Sequence, residues 1–151
     1  MENKLKVKGT YEFKIIGVDG EVRDSWKVEN LVVNGGLAYL TGNAITGMSY
    51  IGVGTSSTAV AGTDTTLTAE ITDTGLARAS GTVSQEETTV ANDTFKITKT
   101  WTATGSKTIE EVGVFSAASG GTMLSRALTT SKAIANGESL QGTYSLVLSN
   151  A

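Results

Sequence analysis

The sequence predicts an all-β chain: an antiparallel β-sandwich with jelly-roll-like connections and one short helix, in a single domain spanning residues 1–151. Three observations predict it. Apolar and polar residues alternate with period two over long stretches, the signature of half-buried strands. Eighteen glycines and no proline punctuate a threonine-rich chain, which suits strands joined by glycine-made turns. No heptad or internal repeat appears, so a coiled-coil stalk is not expected.

The elements follow in order. Leu5, Val7, Gly9, Tyr11, Phe13 and Ile15 alternate with Lys4, Lys6, Lys8, Thr10, Glu12 and Lys14, which predicts a long first strand; residues 1–8 double as an N-terminal arm. Asp19-Gly20 predicts a hairpin turn, and Val22, Trp26 and Val28 mark the return strand. Asn34 reads as an N-cap, with Leu37, Tyr39 and Leu40 at helical spacing, so the short helix is placed near residues 35–40, with an extension to Ala44 open and a type I′ hairpin at Asn34-Gly35 as the alternative. A strand over residues 50–54, a polar loop over 55–64 and a turn of helix over 66–71, with Glu70 on its exposed side, come next. Residues 76–89 read as one strand, Asn92-Asp93 as a turn, and Phe95, Ile97, Lys99, Trp101 and Ala103 as alternate positions of another strand. Residues 109–115 and 122–128 flank Ser-Ala-Ala-Ser-Gly-Gly, a hairpin with a longer loop. Leu140, Gly142, Tyr144, Leu146 and Leu148 alternate along the last strand. That makes about eight strands.

Composition narrows the chemistry. With no cysteine and no histidine, disulfides, thiolate catalysis and Ser-His-Asp triads are excluded, and the commonest zinc ligands are missing. The net charge of −3 lacks the basic footprint that nucleic-acid binding needs. The N-terminus opens with charges rather than an apolar signal segment, and no run approaches a membrane-spanning length. Neither nucleic acid nor membrane is therefore an expected partner, and no cofactor is called for. Residues 33–90 carry only Arg78 against Asp64, Glu70, Asp73, Glu86 and Glu87, an acidic middle read as a solvated face.

The carboxylate pairs Glu86-Glu87 and Glu110-Glu111 do not read as catalytic, because strand neighbours point to opposite faces. Instead one of Glu110 and Glu111 is expected to turn inwards and meet Arg126 across the hairpin, an ion pair that fixes register. Gly52-Val53-Gly54-Thr55 lacks the lysine of a phosphate loop and reads as close strand packing. Asp64, Asp73 and Asp93 lack calcium-loop spacing. Trp26 and Trp101 read as core residues.

Three segments, NLVVNGGLAYL, YIGVGTSSTAVAGTDTTLTAEI and IEEVGVFSAASGGTMLSRALT, carry a resemblance in their order and spacing. The chain resembles small phage virion structural proteins, either capsid decoration (cement) or tail-fibre-like proteins. The resemblance implies synthesis in a host cytoplasm, residence in the virion and no enzymatic activity. It also implies a homo-oligomer, a trimer being one form. Because the chain carries no stalk or repeat and closes just past its last strand, decoration of the shell is the first expectation. The partner is then the major capsid protein, and a fibre or baseplate piece is the alternative. Expected contact residues are Leu5, Val7, Tyr11 and Phe13 on the first strand, and Thr55, Ser56, Ser57, Ser119 and Gly120 in the loops.

Overall fold

The computed structural model describes residues 5–33, 36, 47–88, 91 and 94–150, with backbone alone for 5–8 and 148–150. It is a two-sheet antiparallel sandwich. The described residues form ten strands: β1 (Leu5–Ile16), β2 (Val22–Glu29), β3 (Leu31–Val32), β4 (Tyr50–Gly54), β5 (Ala79–Ser80), β6 (Thr82–Glu86), β7 (Thr94–Thr102), β8 (Lys107–Phe115), β9 (Met123–Ile134) and β10 (Ser139–Asn150). One sheet runs β2-β1-β10-β7-β6 and the other β3-β9-β8-β4-β5. The β8–β9 hairpin lies in the second sheet, while the flanking β7 and β10 pair with each other in the first. This folded-over double pair is the jelly-roll-like unit.

The alternation seen in β1 becomes the core. Tyr11, Phe13 and Ile15 are buried, and opposite residues on β10 share their face: Tyr11 faces Tyr144, Phe13 faces Gly142 and Ile15 faces Leu140. The Phe13 ring also stacks on Trp26 with centroids 5.2 Å apart. From the other sheet Ile51, Val53, Val112, Val114, Leu124 and Ala127 meet this layer in one apolar cluster. Burying such side chains is worth about 1.5–3 kcal/mol each, so the alternating pattern fixes both strand and face.

Several expectations need correction. The predicted helical turn over 66–71 does not form: the chain bends at 66, 68 and 69 and pairs with the end of β4, where Ile71 N–H donates to Val53 O at 2.9 Å, Thr55 N–H to Ala69 O at 2.9 Å, and Glu70 bridges Gly54. Leu67 and Ile71 are both buried, but in different apolar clusters, Leu67 with Phe115 and Met123 and Ile71 in the main core, so their spacing does not mark one helical face. The strand read over 76–89 breaks at Gly81 into β5 and β6, which belong to different sheets. That corner, together with β3, raises the count above eight. The helix expected near residues 35–40 and the Asn92-Asp93 turn lie outside the described residues, apart from Gly36. Residues 5–8, read as an arm, are part of β1 and pair with 147–150 of β10.

Candidate functional site

The chemistry-bearing side chains gather on the outer face of the second sheet. A register shift between Ile109 and Glu111 leaves Ile109 and Val112 in the core while Glu111 meets the segment that follows β4. Glu111 and Arg126 are almost completely buried, and Arg126 lies beside it on the paired strand. The Arg126 guanidinium donates all five of its N–H groups. Nε donates to Glu111 Oε2 at 2.9 Å. Nη1 donates to Asp64 Oδ2 at 2.9 Å and to Ala59 O at 3.3 Å. Nη2 donates to Thr58 O at 2.9 Å and to Thr68 Oγ1 at 3.2 Å. Glu111 in turn accepts from the backbone N–H of Ala69 at 2.7 Å and of Thr68 at 3.1 Å. A fully satisfied network of this kind is what makes a buried ion pair tolerable, since each charge loses several kcal/mol of hydration.

A second arginine continues the clamp. Arg78 grips Glu70 in bidentate fashion, at 2.6 and 2.8 Å, and its guanidinium lies 3.4 Å from the centroid of the Phe115 ring. Its Nη1 also donates to Ala117 O and Gly120 O, at 3.2 and 2.9 Å. Arg126 therefore pins residues 58–69 to the sheet, and Arg78 ties the same excursion to the β8–β9 loop. Beneath the clamp, β4 carries glycines because nothing larger fits. A Cβ on Gly54 would run into the Glu111 carboxylate and come within 2.6 Å of Ala69 O.

The predicted contact residues fall into two groups. Thr55, Ser57, Ser119 and Gly120 are exposed and Ser56 is half-buried. Tyr11 and Phe13 are not at the surface: both have 0% exposure. The Tyr11 hydroxyl is 2.6 Å from Ser125 Oγ, and burial holds it well above the usual phenol range. Their alternation was legible, but it pointed these rings into the core rather than towards a partner. Leu5 and Val7 lie at register positions opposite Asn150 and Leu148. Glu110 is half-buried and takes no part in the network. Glu70, expected exposed, is drawn in by Arg78.

Sequence reasoning missed Asp64, Glu70 and Arg78 as members of the clamp. The available signal was that Arg78 is the sole cation of an acidic stretch. Asp73 is likewise spoken for, its pKa lowered by the hydrogen bond from Lys107; Asp93 lies outside the described residues. The outer face of the first sheet holds a groove of about 420 Å³ lined by hydroxyl, amide and charged side chains such as Lys14, Lys96, Thr98 and Gln141. Among the described residues no group of three His, Cys, Asp or Glu converges as metal ligands would.

A family model described as Gp80, podophage GP4 fiber I protein gp80, matches residues 27–145. The chain belongs to this family. Searches of curated proteins and of solved structures returned no match. The gp80 family is one of phage virion structural proteins, and its matched span contains both arginine clamps. The buried charges of this gp80-family domain lock a surface excursion to a sheet.

Proposed function

We propose that this chain is a structural component of a podophage fibre, a β-sandwich unit whose work is to keep its shape and present loops to neighbouring virion proteins. One observation carries the reading beyond the family match. The buried ionisable groups of the candidate site are satisfied by one another and by backbone, with Arg126 giving all five N–H groups to acceptors of its own chain. A catalytic site needs an acid, base or nucleophile facing a substrate; here these groups secure the excursion over residues 55–78. Rigidity of this kind suits a fibre, which must transmit position without unfolding.

The fibre reading takes precedence over decoration of the shell, the first expectation from the sequence, because the matching family is described as a fibre protein. The expected partners change accordingly, from the major capsid protein to other fibre and tail proteins. Homo-oligomerisation belongs to this reading, since symmetric contacts multiply modest affinities. The test is quantitative mass spectrometry of purified virions. A fibre component is present at the small copy number set by tail symmetry; a copy number comparable with the shell lattice would return the chain to decoration.

A further inference from the structure

We propose that the free edge of β6 is a self-association site at which a second copy of this chain adds its own β6, antiparallel and about a two-fold axis through Ser84. β6 ends its sheet: it pairs with β7 on one side, and among the described residues no strand pairs with it on the other. An unpaired edge offers a row of backbone donors and acceptors, which proteins usually blunt with lysine, proline, bulges or covering segments. Residues 82–86, Thr-Val-Ser-Gln-Glu, contain neither lysine nor proline. The opposite edge of the same sheet is treated differently. On β2, Arg23 reaches Glu138 and the Ala133 carbonyl, and Asp24 holds Lys132, lacing that edge to β9 of the other sheet and to the turn before β10. The edges of the second sheet, β3 and β5, are two residues each.

The register of β6 says what fits there. Val83 lies opposite Ile97 and Gln85 opposite Phe95, so both continue the core-facing side of the sheet, yet Val83 is 41% exposed at its rim. Thr82, Ser84 and Glu86 continue the polar side. A two-fold through Ser84 sets Val83 against Gln85 and Thr82 against Glu86. The two Val83 side chains then become diagonal neighbours that cover each other on the core side. The only charge in the strand, Glu86, meets threonine rather than another acid, and its own Lys96 stays within 3.2 Å. In a chain of net charge −3, this edge lets two copies meet without opposing like charges. The pairing is isologous, the kind that closes. It rests on the geometry of β6 and not on the fibre reading.

The test uses the chain of residues 1–151, which has no native cysteine. Ser84→Cys places two thiols directly opposite across the axis, where antiparallel Cα atoms about 4.5–5.5 Å apart suit a disulfide. Thr82→Cys leaves its thiols about 14 Å apart along the strands. Mild oxidation should link Ser84→Cys into dimers at least about ten-fold faster than Thr82→Cys, because pairing raises the effective thiol concentration. Unmodified protein should self-associate in a sedimentation series, and Val83→Lys, folded by circular dichroism, should shift that series towards monomer. A protein monomeric throughout the series, or equal linking of the two cysteine variants, overturns the proposal. So does capture of a different virion protein along β6 without self-association. A monomeric chain still located on the fibre would refute this pairing and leave the fibre reading standing.

Discussion

At the residue scale, Arg126 carries the most consequence. It is 1% exposed, and its charge is balanced by Glu111 and Asp64. Removing it leaves Glu111 buried without a counter-charge. Arg126→Ala should therefore cost about 3–5 kcal/mol in urea denaturation. Arg126→Met combined with Glu111→Leu removes both charges at similar volume, so its loss should be clearly smaller than the sum of the single losses. Equal and additive losses would mean that the pair is not coupled. Gly54→Ala sets a methyl against the Glu111 carboxylate and the Ala69 carbonyl and should destabilise by about 1–3 kcal/mol, whereas Gly20→Ala meets no neighbouring atom and is opposed only by backbone strain at φ +87°. The Glu111–Arg126 meeting was legible because both residues lie on one hairpin whose loop length sets their register. Asp64, 62 positions from Arg126, was not, because loop residues carry no periodicity to say where they return.

At the element scale, the β2 edge is fastened to β9 and to the turn before β10 by charge. The hydrogen bond from Arg23 holds the Glu138 carboxyl below the usual carboxylate range, and that from Lys132 does the same for Asp24. A folded-state pKa below the unfolded value contributes stability that is fully present above the unfolded value. That contribution is lost as pH falls through the lowered folded value. The melting temperature should therefore fall as pH is lowered from about 5 through the carboxylate range, and Arg23→Gln should flatten that dependence. An unchanged acid slope in Arg23→Gln would remove this lacing from the account. Among the elements, β1, β4, the β8–β9 hairpin and β10 were readable because alternation or glycine-flanked apolar runs persist through them. The break between β5 and β6 was not, since Ala-Ser-Gly-Thr carries no apolar rhythm and the corner is decided by which sheet has room. The bent run over 66–71 was hidden for a related reason: Leu67 and Ile71 have helical spacing, yet Leu67 packs with Phe115 and Met123 while Ile71 joins the main core, a division that spacing alone does not show.

At the scale of the whole molecule, two five-stranded sheets enclose an aromatic-rich core, and two arginines fasten an excursion over one outer face. The sandwich followed from composition and periodicity, which report on burial. The clamp did not, because it depends on contacts between segments far apart in sequence. Placement in the virion lies further still from the sequence pattern: a rigid β-domain serves a shell or a fibre equally well, and membership in the gp80 family is what favours the fibre. The most direct test is gold-labelled antibody against this chain on intact virions under the electron microscope. The fibre account predicts label confined to the fibres at the tail. Label distributed over the capsid shell would contradict it.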